Sequence, residues 1–322
     1  MSKPLSTLLM DYLSATRRIG ARTREILRLG FGYLIEAVGD ISVEEFGRRE
    51  AERFQAYLYD RGLSLDSCNI YLRAVRPVFR WADLDPFERV RLFRVPKKKI
   101  RIYKPAEFQA MLESCSKIWQ GRLLLAKTAG LRLGEVLNLT IGDVDFDSST
   151  ITIQPKKETD RTWRWCPKDK EIREVPLVTE VLSEILSDLP EGQPYLLLAP
   201  AQYQLRIRQM KAGTLQDRLR GRPDQSYRKA FQRILTRAGV KGKTYHDLRR
   251  TCLTEWSRIL EPKDLMDLAG HSKIETTMTY YIALDESRVD RARKASDKML
   301  GAAESASTTP GQKILTSGRC QT

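Results

Sequence analysis

Apolar residues recur at helical spacing from the start of the chain. Leu8, Leu9, Tyr12 and Leu13 make one stripe, and Ile26, Leu27, Phe31, Leu34 and Ile35 a second. Ser42 followed by Glu45 has the spacing of a capping box, which predicts a helix carrying Phe46, Phe54, Tyr57 and Leu58. That helix should stop near Gly62. A further helix holds Ile70, Val75, Val78 and Phe79, and Pro77 is expected to kink it. On its other side Arg73, Arg76 and Arg80 fall at i, i+3 and i+7, one basic stripe that serves either as a solvated face or as a surface for an anion.

The periodicity then lapses. Val95-Pro96-Lys97-Lys98-Lys99 through Lys104-Pro105 is basic, holds two prolines and reads as an interdomain linker. Lys97, Lys98 and Lys99 suit phosphate tracking, because a cationic strap can follow a duplex without reading bases. After Pro105 helical spacing returns with Phe108, Met111 and Leu112 and then with Leu123 to Ala129. Three short runs follow: Ile151 and Ile153 alternating with polar residues, Trp163 and Trp165 doing the same, and Glu174-Val175-Pro176-Leu177. They predict a small antiparallel sheet. No periodicity stands out over 199–224, whereas Tyr227 to Ala238 is helical again and the pattern persists to about Leu300. The expected fold class is therefore mainly α with a small antiparallel β-sheet (α+β). A helical domain spans 1–94, a basic linker 95–105 and a mixed domain 106–300, and a tail rich in Ala, Ser, Thr and Gly over 301–322 is expected to be disordered.

Charge narrows the partner. The 322 residues carry 56 Lys and Arg against 41 Asp and Glu, a formal net charge of +15, and a surplus of that size points to a polyanion such as nucleic acid. No run of about twenty apolar residues exists to span a membrane. The N-terminus lacks the layout of a signal peptide, so the expected location is cytoplasmic. Cys68, Cys115, Cys166, Cys252 and Cys320 are scattered without a CxxC pair, which predicts reduced thiols rather than disulfides or a zinc site.

Four short segments carry candidate chemistry. They are Thr128-Ala129-Gly130-Leu131-Arg132-Leu133-Gly134-Glu135, Pro167-Lys168-Asp169-Lys170, His246-Asp247-Leu248-Arg249-Arg250, and Gly270-His271-Ser272 followed by Thr276-Thr277-Met278-Thr279-Tyr280. Two arginines, a lysine, two histidines and a tyrosine make a phosphoryl-transfer set. Guanidinium forks bind the non-bridging oxygens of a phosphodiester and stay charged while negative charge grows there. A tyrosine can attack as an oxygen nucleophile if a base or a cationic setting helps it lose its proton. Lysine or histidine can return a proton to the departing oxygen. No acidic cluster with metal-ligand spacing accompanies the set, so a route without metal or other cofactor is expected. Taken singly each element has a plainer explanation: an ion-paired Arg132, a polar helix start at His246-Asp247, a satisfied core histidine at His271, half-buried aromatics at Tyr280 and Tyr281.

In this order the segments resemble the tyrosine recombinase, or phage integrase, family, and the resemblance runs from the N-terminal helices to about residue 290. It implies that Arg132, in a box like Thr128 to Glu135, and Arg249, in the His-x-x-Arg box, clamp a DNA phosphate. His246 then acts as acid or base and His271, in Leu268-Ala269-Gly270-His271-Ser272, hydrogen-bonds the phosphate. The family places its nucleophile nine positions after that histidine, where Tyr280 stands, in preference to Tyr281. A proton-donating lysine is expected shortly before a Val-Pro-Leu-like strand. Lys168, eight residues before Pro176, suits it best, with Lys156 and Lys170 as alternatives. Ala269 stands where leucine is usual, and Glu261-Pro262-Lys263 where a glycine-containing turn is common.

The resemblance also implies a helical core-binding domain that clamps duplex DNA, with Arg73, Arg76 and Arg80 facing it, and a catalytic domain over 106–300. It implies a homotetramer on two DNA sites, with accessory DNA-bending proteins as candidate partners. The expected function is a site-specific DNA recombinase or integrase acting through a 3′-phosphotyrosyl intermediate without metal or ATP. A type IB topoisomerase, a catalytically silent DNA-binding regulator and a metal-dependent nuclease remain as rivals. The target sequence, and the choice between integrase, resolvase and chromosome-dimer recombinase, stay open at this level.

Overall fold

The computed structural model describes residues 3–16, 19–96, 99–167, 172–177, 186, 189–215, 225–283 and 292–299. The chain divides into two compact units, one built on residues up to 96, with 213–215 grouped with it, and the other on the remaining described residues from Lys99 onward.

In the first unit four helices form: α1 (Leu5–Ala15), α2 (Ala21–Val38), α3 (Arg48–Asp60) and α4 (Leu65–Trp81). The apolar stripes meet in a core of Leu5, Leu8, Phe31, Leu34, Phe54 and Phe79, all at most 1% exposed. Ser42 and Glu45 do pair, since the Ser42 N–H donates to the Glu45 carboxylate at 3.3 Å, but they close a local turn rather than start a helix. α3 begins at Arg48, where the backbone N–H of Gly47 donates to Glu50 at 3.0 Å. Phe46 therefore lies outside the helix and reaches the core by stacking on Phe79 at 4.6 Å. α4 opens on Ser64, whose hydroxyl accepts from the Ser67 N–H at 3.2 Å, and it continues through Pro77.

The expected stripe on α4 is broken. Arg76 turns inward, donating to the Val90 carbonyl and lying 5.9 Å from the Phe87 ring, while Arg80 is exposed and pairs with Asp85 at 2.9 Å. Arg73 alone of the three is exposed without an ion pair among the described residues. The predicted linker also changes character partway. Lys97 and Lys98 lie outside the described residues and Lys99 is exposed. Ile100 packs beside Leu253, Leu265, Ala269 and Tyr280, and the Tyr103 N–H donates to Thr251 at 2.9 Å. Residues from Ile100 onward thus belong to the second unit's packing.

That unit begins with α5 (Pro105–Glu113), α6 (Lys117–Thr128) and the short α7 (Leu133–Leu137). A three-stranded antiparallel sheet follows, β1 (Val144–Asp145), β2 (Thr150–Ile153) and β3 (Arg173–Pro176), in that order, with Ile151 opposite both Val144 and Val175. The Trp163 and Trp165 run is not a strand of this sheet. Lys156 and Trp165 make an isolated antiparallel bridge, and Trp163 stacks face to face on Tyr195 at 3.9 Å while its indole N–H donates to Asn138 at 2.8 Å. Alternation there reflects two buried indoles in a fold-back, not a ladder.

α8 (Pro200–Lys211) forms where no apolar period was visible, because its buried face includes Arg206, laid over Trp163 at 5.4 Å, beside Tyr203 and Ile207. Then come α9 (Gln225–Arg237), α10 (His246–Trp256), α11 (Pro262–Ala269) and α12 (Ile274–Ala283), and residues 292–299 are helical. α6 packs along α10, and Leu123, Ala126, Phe231, Leu235 and Leu248 join in one core. This packing brings the end of α6, the start of α10 and the α11–α12 turn together. The tail expected over 301–322 lies outside the described residues, and no helix among those described is long and apolar enough to cross a membrane.

Candidate active site

Arg132 is placed by the turn that ends α6. It takes the N-cap position of α7 in an extended conformation, and Glu135, three residues on, folds back to it. One carboxylate oxygen of Glu135 accepts from the Arg132 backbone N–H and the other from its guanidinium, both at 2.9 Å. The same guanidinium donates to the Gly270 carbonyl at 3.1 Å. Arg132 therefore spans from α7 to the α11–α12 turn.

Arg249, on the first turns of α10, is 2% exposed. It donates to the Gly130 carbonyl at 2.5 Å and to the Ala269 carbonyl, and its Nη2 lies 3.4 Å from His271 Nε2. Burial, then the neighbouring charge of Arg132, pushes its pKa down to about 10, so it remains a cation at neutral pH. His271 is fixed from the other side by Thr277, whose hydroxyl oxygen lies 2.9 Å from Nδ1, and its backbone N–H donates to Met266 at 3.0 Å. The Tyr280 ring lies parallel to the imidazole, with centroids 6.0 Å apart and planes 12° from each other.

Tyr280 is 6% exposed, and burial raises its pKa while Arg249, Arg250 and Arg132 pull in the opposite direction. Tyr281 takes a different course, donating to the Leu260 carbonyl at 2.5 Å. His246 begins α10 and keeps access to solvent. Loss of hydration on its packed side, then the guanidinia of Arg250, Arg249 and Arg132, pushes its imidazole down to about 4. It is neutral at physiological pH. Asp247 steadies this helix start, accepting from the Thr244 N–H at 2.7 Å and from Arg250 at 2.7 Å. Beside these groups opens a cavity of about 470 Å³, lined by Arg132, His246 and Arg249 together with Tyr227, Phe231 and Lys243.

Five predicted residues, Arg132, His246, Arg249, His271 and Tyr280, thus gather around the start of α10 and the α11–α12 turn. Lys168 lies outside the described residues, as does Lys170. Lys156 is engaged elsewhere: its ammonium pairs with the buried Asp143 carboxylate and reaches Thr140 Oγ1 at 3.4 Å. Glu135, Arg173, Arg250 and Thr277 join the site although no motif gives them a role. The spacing of Glu135 from Arg132 signals its cap, but nothing local marks Arg173, which arrives from β3 and pairs with Glu135 at 2.7 Å.

Two arginines held by backbone carbonyls, a half-buried histidine and a tyrosine ring parallel to it thus come together on a helical scaffold. A match to the phage integrase family covers residues 101–288, more than half of the chain, and the chain belongs to that family as a DNA strand-transferring recombinase. Among its relatives, tyrosine recombinase XerA of Pyrococcus furiosus is 27% identical over 245 residues, covering 72% of this chain and 75% of that protein. XerA of Thermococcus onnurineus is 27% identical over 263 residues, 79% of this chain and 82% of its own. Two solved structures share the fold. The Tn1549 transposon integrase in complex with a circular intermediate DNA has a TM-score of 0.70 at 18% identity, covering 91% of this chain and 100% of that one. A lambda integrase tetramer bound to a Holliday junction has a TM-score of 0.65 at 14% identity, covering 87% and 77%.

Proposed function

We propose that the protein is a site-specific recombinase that breaks and rejoins DNA through a 3′-phosphotyrosyl bond at Tyr280. The observation that carries this reading is the convergence of Arg132, Arg249 and His271 on the turn at 269–271, with Tyr280 parallel to His271. The carbonyls of Gly130, Ala269 and Gly270 fix the planes of the two guanidinia without neutralising them. Such pre-organised cations stabilise charge that develops on a pentacoordinate phosphorus.

In this reading the Tyr280 phenolic oxygen attacks a backbone phosphorus, the bond to the 5′ oxygen breaks, and the 3′ phosphate becomes esterified to the tyrosine. The phenol must lose its proton on the way, since burial holds its pKa above the ordinary value. The neutral imidazole of His246 can take that proton, and a bound phosphate raises its basicity by offsetting the surrounding guanidinia. Lys168 returns a proton to the departing 5′ oxygen. The 5′-hydroxyl of a partner strand then attacks the phosphotyrosine and restores both the ester and the free phenol. Bond energy is conserved in the covalent intermediate, so ATP has no part, and the cationic side chains supply the charge neutralisation that a metal would otherwise give.

Residues 1–94 serve as a DNA clamp, with Arg73 the best placed of the α4 arginines, and Lys97 to Lys99 as a strap. Four protomers act on two DNA sites, a reading supported by the likeness to the lambda integrase tetramer. Covalent capture tests the chemistry. The protein is incubated in EDTA with nicked duplexes taken from the DNA flanking its gene, denatured, and the adduct mapped. DNA attached to Tyr280, retained in Tyr281→Phe and lost in Tyr280→Phe, is the expected result. Attachment at Tyr281, or a requirement for a divalent metal, would overturn the assignment.

A further inference from the structure

We propose that Arg173 is a positioning residue of this reaction, holding Glu135 and the turn that carries His271 so that Arg132 stays available to a phosphate. The proposal rests on the phosphotyrosine reading above and adds a residue to it.

Three elements meet at the Arg173 side chain, which is 7% exposed. From β3 its Nη2 donates to the Glu135 carboxylate of α7 at 2.7 Å, and its Nε donates to the Leu268 carbonyl near the end of α11 at 3.1 Å. It also packs flat against Gly270, where an added Cβ would lie 3.2 Å from Arg173 Cδ and Nη1. Leu268 and Gly270 flank Ala269, whose carbonyl holds Arg249, and Gly270 immediately precedes His271. One side chain thus fixes the stretch from which Arg249 and His271 take their positions.

Its electrostatic part is as specific. Glu135 is 3% exposed, and burial alone would raise its pKa; Arg173, then Arg132 and Arg249, together outweigh this and hold the carboxyl below its ordinary value, so it stays charged. A buried carboxylate held by Arg132 alone would neutralise the guanidinium needed for a phosphate and compete with it. Sharing between Arg132 and Arg173 leaves three guanidinia against one carboxylate, so the group keeps the surplus positive charge that an incoming phosphodiester requires. Arg173 also lies five residues after Lys168 in the chain, so the strand following the proposed proton donor is the one tied to the phosphate clamp.

The test compares single-turnover adduct formation at saturating DNA with affinity for intact duplex, in the full chain. Arg173→Gln should cleave at least about tenfold more slowly, as misplacement by a fraction of an ångström or more commonly does, with affinity unchanged. Arg173→Lys, which keeps the charge but not the two-point geometry, should recover part of the rate. The double variant Arg173→Gln/Glu135→Gln should cleave faster than Arg173→Gln, because the uncompensated carboxylate is gone. Cleavage by Arg173→Gln at the wild-type rate would overturn the proposal. So would a loss of rate matched by equal losses of affinity and melting temperature that neither second variant relieves, the signature of a role in folding alone. Wild-type protein that binds DNA but forms no adduct would instead sink the phosphotyrosine reading, and this proposal with it.

Discussion

At the scale of single residues, the site depends on groups whose states are set by their neighbours. His246 shows this most directly. Its ordinary pKa is 6.5 and its folded value about 4, so the unfolded chain takes up a proton on acidification that the folded chain refuses. The stability this group provides is complete above pH 6.5 and is lost as pH falls from there toward 4. Chemical denaturation at pH 7 and pH 5 should therefore show a larger loss for the wild type than for His246→Asn, and equal losses would mean that the ring titrates normally. Thr277 offers a second case. It is fully buried and meets His271 Nδ1 at 2.9 Å, which holds the ring plane. Thr277→Val leaves the imidazole without that partner, at a cost of about 1–3 kcal/mol, and should slow adduct formation. Thr277→Ser should retain the rate, and a valine variant as fast as wild type would show that Arg249 alone holds the ring.

Elements act here chiefly through their ends. α7, α10 and α12 each start or turn at the site, and α11 stops there at Gly270, in the left-handed conformation with φ of +59°. An alanine in that conformation costs about 1–2 kcal/mol, and at Gly270 its Cβ would also press on Arg173. Gly239, just beyond α9, has φ of +68° and nothing within 4 Å of an added Cβ. Gly239→Ala should lower the melting temperature by the backbone cost alone and Gly270→Ala by at least as much, but only Gly270→Ala should impair cleavage. Parallel impairment would place the effect in global stability instead. These element ends also explain what the sequence made legible. Helices with an apolar stripe, such as α2, α4 and α9, are visible because burial imposes the 3.6-residue period. α8 escapes such a pattern because a buried arginine stands in its apolar face, and the Trp163–Trp165 alternation misleads because two buried indoles in a fold-back imitate a strand. Five candidate site residues were legible because their motifs, in that order, resemble those of the family. Arg173 was not, since its partners Glu135 and Leu268 are 38 and 95 residues away and only the packing of α11 on β3 unites them. Ser42-Glu45 shows the converse, a correct local pair with the wrong consequence.

On the scale of the whole molecule, the surplus of +15 charges has to be separated into those available to DNA and those already spent in the fold. Counterion release makes the logarithm of affinity fall linearly with the logarithm of salt, by about 0.9 per phosphate contacted. A side chain that touches a phosphate should lower that slope when neutralised, and one that serves the fold should lower stability and leave the slope alone. The α4 arginines separate on this criterion. Arg73 is exposed, whereas Arg76 is folded onto the Val90 carbonyl and the Phe87 ring and carries the lowered pKa of a desolvated cation. Binding of a duplex followed by fluorescence anisotropy over a series of potassium chloride concentrations should give Arg73→Gln a slope smaller by about one contact's worth. Arg76→Gln should keep the wild-type slope and melt at a lower temperature. An unchanged slope in Arg73→Gln would remove α4 from the DNA-facing surface of the clamp and leave Lys97 to Lys99 as the remaining basic segment to examine by the same measurement. A reduced slope in Arg76→Gln would mean that the side chain leaves Val90 when DNA binds, exchanging a carbonyl for a phosphate.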